Sequence, residues 1–209
     1  MLHLGMPGPG RSRDRGDAGL RSVLGVDITD PGSVAAAAQA AADVTLLVDN
    51  AGSATFQNLI TGDLDEIRLE METNYFGTFA MSRTFAPILA AHGGGAILNV
   101  LSVMSWIAAD RANAYAAAKA AEWSLTNAIR IELAGQGTQV TGLHLASTDT
   151  DMAAGQSGPK NDPADVVHSA LDGIEAGKLE VLADQISTRI KAALGSDPSL
   201  LYPQLASAR

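Results

Sequence analysis

Tyr115 and Lys119 lie four residues apart in an alanine-rich segment that contains neither proline nor glycine. Residues at this spacing share one face of an α-helix, so the phenol and the ammonium are expected to be neighbours. A cation beside a phenol favours the phenolate and is expected to lower the tyrosine pKa from its ordinary value of about 10. The pair could then exchange protons near neutral pH. Chance pairs at this spacing, with a half-buried ring and a solvated amine, are also common.

A serine is expected close to this pair. Ser102 lies thirteen residues before Tyr115 and directly follows the apolar segment 96–101, which predicts a buried strand. A hydroxyl at the end of that strand could hydrogen-bond a substrate oxygen that Tyr115 protonates.

Composition limits the kinds of site that this chain can build. Of its 209 residues, 46% are apolar and 18% are charged, a globular balance, and the formal net charge of −9 opposes binding to nucleic acid. The chain has no cysteine, and its four histidines lack ligand spacing, so we expect no metal site. No apolar run reaches membrane-spanning length, and no leader pattern opens the chain. We therefore expect a cytoplasmic protein that binds a small molecule and that binds neither nucleic acid nor a membrane.

Strands and helices are predicted to alternate after residue 20. Short apolar runs predict strands at 23–27, 44–48, 96–101, 140–145 and 179–183. Helices are predicted at 31–42, 63–91, 112–134, 163–177 and 186–194, followed by an irregular tail. Asp-Pro pairs at residues 30 and 162 predict helix starts, and Pro87 predicts a possible bend. This order indicates an α/β fold: a Rossmann-type, doubly wound parallel sheet in one domain over 21–209.

Polar or small residues follow four of these strands, at the edge where parallel sheets bind ligands. They are Asp27, the segment 50–52, Ser102 and the segment 147–150.

Residues 1–20 differ from the rest of the chain. They are rich in glycine, proline and arginine and predict an irregular segment. The glycines between Gly5 and Gly10 could suggest a phosphate-binding loop. Such a loop needs a strand before it and an amphipathic helix after it, and the sequence pattern predicts neither here. An irregular segment is the better interpretation.

Together these motifs resemble those of the short-chain dehydrogenase/reductase family, over the chain from about Val23 to its C-terminal region. In chain order the matching residues are Asp27, Asn50-Ala51-Gly52, Asn74, Ser102 and Tyr115-x-x-x-Lys119. The resemblance implies an NAD(P)-dependent oxidoreductase that transfers hydride between nicotinamide and a carbonyl or alcohol substrate. It also implies a homodimer or homotetramer.

The resemblance implies a role for each matched residue. Tyr115 would be the general acid/base, and Lys119 would lower its pKa and hydrogen-bond the nicotinamide ribose. Ser102 would polarise the substrate carbonyl, and Asn74 would hold the water of a proton relay. Cofactor contacts are further implied for Asp27, Ile28, Asn50, Ala51, Gly52, Thr148 and Thr150.

Some of these residues have structural alternatives. Asn50 and Asn74 could be mainly scaffold, and Asp27 could cap the next helix, although Asp30 is better placed to do so. In the loop after the sixth family strand, the usual Pro-Gly is replaced by Leu145-Ala146, whereas Thr150 keeps the threonine position.

The larger departure is at the N-terminus. Family members begin with a strand, a Thr-Gly-x-x-x-Gly-x-Gly turn that holds the cofactor pyrophosphate, and a helix, none of which has a counterpart here. We therefore expect an N-terminally truncated domain that lacks roughly 30 residues, about one βαβ unit. Arg13 could remain from the second strand, where an arginine favours the 2′-phosphate, so NADP is slightly favoured over NAD.

A non-enzymatic alternative follows from the same truncation. The chain could be a catalytically idle family member that acts as an oligomerisation or interaction module. The small residues of the predicted 112–134 helix would then allow another helix to approach closely: Ala114, Ala117, Ala118 and Ala121.

Overall fold

A computed structural model describes residues 24–202. Within this range, parallel strands form one four-stranded sheet in chain order: β1 (Leu46–Asp49), β2 (Gly95–Val100), β3 (Thr138–His144) and β4 (Glu180–Leu182). Asp49 is level with Asn99, and Val100 with Leu143. The carboxyl ends of β1, β2 and β3 therefore open on the same edge of the sheet.

Helices connect these strands. Within the described range they are α1 (Pro31–Ala40), α2 (Leu64–Met71), α3 (Thr78–Ala91), α4 (Asn113–Leu133), α5 (Pro163–Glu175), α6 (Gln185–Ala193) and α7 (Pro198–Leu201). The Asp-Pro starts are confirmed: Asp30 accepts hydrogen bonds from the N–H groups of Gly32 and Ser33, and Asp162 accepts one from Ala164. These carboxylates satisfy backbone donors that have no partner inside the helix.

Successive strand residues face opposite sides of the sheet. On one side they join α1, α3 and α4 in a core that includes Leu47, Ile97 and Val140. On the other side they pack against α5: Leu98, Leu143 and Val181. Helices thus cover both faces, and the predicted α/β architecture is confirmed.

The strand expected at 23–27 is not formed by residues 24–27, and Val23 lies outside the described residues. Val26 and Ile28 are instead buried in the core with α1 and α3. The apolar pattern predicted burial correctly. A strand also needs a hydrogen-bonded neighbour, and within 24–202 no strand pairs with this segment.

The long helix predicted at 63–91 is interrupted by a π-helix at Glu72–Gly77, between α2 and α3. Asn74 lies within this π-helix. Pro87 lies inside α3, which continues to Ala91, so the break in regular α-helix occurs at the π-turn. Single π-turns inside helices are frequently found at functional sites.

The tail predicted to be irregular contains the short helix α7. Asp197 accepts a hydrogen bond from the N–H of Ser199 and precedes Pro198, the same Asp-Pro start as in α1 and α5. The Tyr202 hydroxyl then accepts a hydrogen bond from the backbone N–H of Ala108 at 3.1 Å. The end of the described chain is thereby attached to the segment that follows Ser102.

The predictions for residues 1–20, including the glycines between Gly5 and Gly10 and the role of Arg13, lie outside the described residues. Among the helices in the described range, none combines the length and apolar character needed to cross a bilayer.

Candidate active site

Lys119 is the residue at which three elements of the fold meet. Its buried side chain extends from α4 to the end of β2, where Nζ donates a hydrogen bond to the Val100 carbonyl at 2.8 Å. Nζ also lies 5.9 Å from the centre of the Tyr115 ring. A β-carbon built on Gly52 would lie 3.9 Å from the same Nζ. The structure therefore brings the segment after β1, the end of β2 and the Tyr/Lys face of α4 together.

A carboxylate that the sequence analysis missed is paired with Lys119. Glu122 Oε2 lies 2.6 Å from Lys119 Nζ, and the side chains are only 1% and 5% exposed. The hydroxyl of Thr78 donates to the other oxygen, Oε1, at 3.2 Å. The signal that could have identified this pair is the three-residue spacing of opposite charges on one helix face.

Burial and charge act in opposite directions on this pair. Burial lowers the pKa of Lys119, but the negative charge of Glu122, with further contributions from Tyr115 and Asp49, raises it above its ordinary value. For Glu122, burial is the larger effect and raises the pKa, although Lys119 and Thr78 oppose it. The Lys119 side chain is therefore an ammonium at neutral pH.

Asp49 is a further buried acid at the carboxyl end of β1. It is 6% exposed, and its Oδ2 accepts a hydrogen bond from the Ser82 hydroxyl at 3.2 Å. Burial raises the pKa of Asp49 well above its usual range; Ser82 opposes this shift, Glu122 adds to it, and Lys119 opposes it. The Asp49 carboxyl is thus biased toward its neutral form.

Ser102 lies directly after β2, at the edge that the sequence predicted. Its backbone is held by a capping box in which the Ser102 hydroxyl oxygen accepts from the N–H of Met104 at 3.1 Å. A hydroxyl that accepts in this way keeps its own hydrogen for donation. Ser102 is therefore arranged to donate to an oxygen at the strand end.

Asn74 binds the segment after β1 through its side-chain amide. Nδ2 donates to the carbonyls of Ser53 and Glu70, both at 2.8 Å, and Oδ1 accepts from the N–H of Ser53 at 3.3 Å. Both amide hydrogens are thus used by the backbone. These contacts agree with the alternative that Asn74 is mainly a structural residue. Its role in holding the water of a proton relay stays a prediction.

The predicted cofactor residues after β1 and before α1 differ in exposure. Asn50 is exposed, whereas Ala51 packs against the core. Asp27 is exposed, and its Oδ1 accepts from the N–H and hydroxyl of Thr29 at 2.9 and 2.7 Å, contacts that lower the pKa of Asp27. Ile28 is buried against Gly77, so only its backbone could contact a ligand. Asp30, not Asp27, caps α1.

Thr148 and Thr150 lie in a loop after β3 that Asp184 holds in place. Asp184 Oδ2 accepts from the N–H of Ala146 at 2.7 Å and from Asn161 Nδ2 at 2.9 Å. Thr148 is buried and Thr150 is exposed. Among the described residues, no hydrogen bond or ion pair joins Thr148 or Thr150 to Tyr115 or Lys119, and the cofactor role of the two threonines stays a prediction.

Behind Ser102 lies an aromatic cluster that the sequence analysis did not single out. His144 is fully buried, stacks on Trp106 with ring centres 3.9 Å apart, and its Nδ1 lies 3.4 Å from the Ser102 carbonyl oxygen. Lys191 lies over the Trp106 ring and pairs with Glu180 at 2.7 Å. Burial lowers the pKa of His144 to about 4, so its imidazole is neutral at neutral pH. The histidine spacing gave no signal because these partners are distant in sequence.

A cavity of about 620 Å³ lies on a different side of α4. From this helix it is lined by Asn113, Ala116, Ala117 and Ala120. Because successive residues rotate by about 100°, this face is about 140° around the helix from Tyr115, Lys119 and Glu122. Ser102, Tyr115 and Lys119 do not line this cavity, although Met104 and Ser105, which hydrogen-bond Ser102, do.

Comparison with known proteins assigns the fold and its motifs to one family. The family model described as short chain dehydrogenase matches residues 18–161, more than half of the chain. The chain is 36% identical over 141 residues to galactitol 2-dehydrogenase (L-tagatose-forming) of Cereibacter sphaeroides, covering 65% of this chain and 55% of the relative. It is 32% identical over 152 residues to an NADPH-dependent 1-acyldihydroxyacetone phosphate reductase of Schizosaccharomyces pombe, covering 70% and 51%. The chain thus spans about half the length of these curated relatives.

Among solved structures, the chain is similar to a short chain dehydrogenase from Burkholderia cenocepacia J2315 in complex with NADP. The two share 36% sequence identity and superpose with a TM-score of 0.85, over 91% of this chain and 81% of the other.

Proposed function

Because this chain belongs to the short-chain dehydrogenase/reductase family, we propose that it is the catalytic part of an NAD(P)-dependent oxidoreductase acting on a small carbonyl or alcohol substrate. Tyr115 is the general acid/base, Ser102 polarises the substrate oxygen, and Lys119 supplies the positive charge beside them. The observation that carries this proposal is the buried ammonium of Lys119, which lies 5.9 Å from the Tyr115 ring centre and hydrogen-bonds the end of β2.

The residues at the strand ends fit the nicotinamide half of such a cofactor. Gly52 lies close to the Lys119 ammonium, since a β-carbon built on this glycine would be 3.9 Å from Nζ. Asn50 is exposed beside it. We propose that Asn50, Ala51 and Gly52 border the cofactor, that Asp27 and the Ile28 backbone lie nearer its adenine end, and that Thr148 and Thr150 contact its nicotinamide amide.

The chemistry of the step divides between cofactor and protein. When bound, the nicotinamide supplies or accepts the hydride, which carries two electrons to or from the carbinol carbon. In the direction of reduction, the Tyr115 hydroxyl gives its proton to the substrate oxygen as that oxygen gains negative charge. The Ser102 hydroxyl donates a hydrogen bond to the same oxygen, and the Lys119 ammonium stabilises the phenolate that Tyr115 becomes.

NADP is proposed as the preferred cofactor. The solved relative from Burkholderia cenocepacia is in complex with NADP, and the yeast relative is described as NADPH-dependent. A homodimer or homotetramer is likewise proposed, since it is implied by the family resemblance.

The first experiment titrates the purified protein with NADPH and with NADH, following thermal stability and nicotinamide fluorescence. Binding to the folded state must raise the melting temperature by mass action. A panel of small ketones and aldehydes is then screened with the preferred cofactor. Tyr115→Phe should abolish turnover and leave the fold intact, whereas Tyr75→Phe, which removes a phenol oxygen from the π-helix, should leave turnover unchanged.

A folded protein that binds neither nucleotide would contradict the proposal for this chain and favour an interaction module. The helix face predicted for that alternative is only partly available. Ala114 and Ala118 are buried within the chain itself, at 3% and 0% exposure, while Ala117 and Ala121 are partly exposed. The alanine spacing alone could not reveal this burial, because the burial depends on the packing of the inward face of α4 on the sheet.

A further inference from the structure

Two protein groups hold the Lys119 ammonium, one through a hydrogen bond and the other through an ion pair. Nζ donates to the Val100 carbonyl oxygen at 2.8 Å, and Glu122 Oε2 lies 2.6 Å from the same nitrogen. A lysine ammonium has three donors and no acceptor. At least one N–H therefore remains for a ligand or for Tyr115.

We propose that Glu122 is a positioning residue for Lys119. Together with the Val100 carbonyl, it anchors the ammonium so that the remaining N–H faces the space between Tyr115 and Gly52. The part of the proposal in which this N–H binds a ribose or substrate hydroxyl rests on the proposed function. The anchoring itself concerns only this chain's own residues.

The burial of Glu122 supports this role. A carboxylate that is 1% exposed is unfavourable unless a charge or hydrogen bonds compensate it. Here Lys119 supplies the charge, and the Thr78 hydroxyl fixes the other oxygen at 3.2 Å. The second helix turn of α4 and the start of α3 thus hold the carboxylate from two sides, which fixes where the ammonium lies.

Three titratable groups act on Lys119, from two elements. Glu122 and Tyr115 belong to α4, and Asp49 ends β1. Glu122 is the charge closest to Nζ. Its removal is therefore expected to make the amine easier to deprotonate, an effect that simple loss of packing would not produce.

The test measures acylation of lysine amines by an N-hydroxysuccinimide acetate across pH 7–10, with the products quantified by peptide mass spectrometry. It is made on the wild-type protein without nucleotide and on Glu122→Gln. The control is Glu132→Gln, which removes an exposed carboxylate from the end of the same helix. The other lysines, Lys160, Lys178 and Lys191, are internal standards. We expect Lys119 of Glu122→Gln to react at least about tenfold faster at pH 8, equivalent to one pKa unit, with its pH profile displaced to lower pH.

Glu122→Asp keeps the carboxylate charge but moves it away from Lys119 Nζ by the length of one carbon–carbon bond, roughly 1.5 Å. Its Lys119 should react at a rate between wild type and Glu122→Gln. This variant also keeps the proposal testable if Glu122→Gln does not fold, as judged by circular dichroism. Equal Lys119 profiles in wild type and the folded Glu122 variants would overturn the proposal.

The dissociation constant for NADPH is the second readout, and it should rise about tenfold in Glu122→Gln but not in Glu132→Gln. A changed Lys119 profile with no nucleotide binding to the wild type would leave Glu122 as the anchor of Lys119 and contradict the proposed function. A changed profile with equal nucleotide affinity in wild type and variant would overturn the part of the proposal that concerns the remaining N–H.

Discussion

Gly52 and Asn74 are in such close contact that a β-carbon on Gly52 would lie 2.8 Å from the Asn74 side-chain oxygen. That oxygen accepts a hydrogen bond from the N–H of Ser53. Real β-carbons essentially never approach a heavy atom so closely. The position of the Asn74 side chain in the π-helix therefore requires a glycine at residue 52, after β1.

We expect Gly52→Ala to displace the Asn74 amide and lose its hydrogen bonds to the segment after β1. The cost should be about 1–3 kcal/mol in the free energy of unfolding, the usual range for overpacking a tight site. Urea unfolding measures it. The matched control is Gly25→Ala, because nothing lies within 4 Å of its added β-carbon.

Nucleotide binding is the second measurement for Gly52→Ala. If Gly52 borders the cofactor as proposed, the variant should bind NADPH at least about tenfold more weakly, since the added methyl group points toward Lys119 Nζ at 3.9 Å. A variant as stable as wild type, with the same affinity, would contradict both the packing argument and the proposed cofactor position.

The fold was largely predictable from the chain because its signals are local. Asp30-Pro31 and Asp162-Pro163 start helices as predicted, and each apolar run that has a paired neighbour forms a strand. Residues 24–27 of the apolar run at 23–27 do not form the predicted strand, because strand formation depends on a partner, which periodicity does not reveal. The same Asp-Pro signal at Asp197 was present and was missed.

The site was predictable only in part. The helical spacing of Tyr115 and Lys119 predicted that the ring and the ammonium would be neighbours, and they are. Ser102 lies after β2 as expected, and its role beside the pair stays a prediction. Glu122 and His144 were missed because their importance comes from burial beside partners. In the case of His144, those partners are brought close only by the packing of β3 and α4 behind Ser102.

Asp49→Asn should stabilise the protein at neutral and alkaline pH. Because the pKa of Asp49 is raised in the folded state, the folded protein holds this proton more tightly than the unfolded chain does. The contribution of Asp49 to stability is fully present below its unfolded pKa of 3.8 and is lost as pH rises through the folded value. Asparagine remains neutral and can still accept from Ser82.

The measurement is the free energy of unfolding of wild type and Asp49→Asn from pH 5 to 9. The advantage of the variant should grow with pH. Asp172→Asn, which replaces an exposed carboxylate on α5, is the control and should show no such trend. An advantage that is constant or shrinks with rising pH would contradict the assignment of Asp49 as a buried, proton-holding acid.

Asp184→Asn should loosen the loop that carries Thr148 and Thr150. Asp184 accepts from the N–H groups of Ala146 and Ser187, both at 2.7 Å. Burial raises its pKa, but these hydrogen bonds and those from Asn161 and Ser187 outweigh burial and lower it. An amide cannot accept from both sides, so the variant should lose about 1–3 kcal/mol of unfolding free energy at pH 7.

The pH dependence checks this interpretation of Asp184. A lowered carboxyl pKa contributes stability above the unfolded value of 3.8, and that stability is lost as pH falls through the folded value. The difference between wild type and Asp184→Asn should therefore narrow below about pH 4. Faster backbone hydrogen exchange at residues 146–150 is also expected, and unchanged exchange there would count against the role of Asp184 in holding the loop.

His144→Phe should make stability less sensitive to acid. Burial is the main cause that lowers the pKa of His144 from 6.5 to about 4, so the unfolded chain binds its proton more readily than the folded protein does. The stability that depends on neutral His144 is complete above pH 6.5 and is lost progressively down to about pH 4, by roughly 3 kcal/mol. Phenylalanine keeps an apolar ring against Trp106 and removes the titration.

Urea unfolding of wild type and His144→Phe between pH 4 and 7 tests this prediction, because the difference between the two curves cancels the shared contribution of the carboxylates. His168→Gln, which changes an exposed histidine on α5, should follow the wild-type curve. An NMR titration of the imidazole supplies an independent value, and its midpoint should lie near 4. If His144→Phe loses stability with acid as steeply as wild type does, or if the imidazole titrates near 6.5, then His144 is not held neutral behind Ser102.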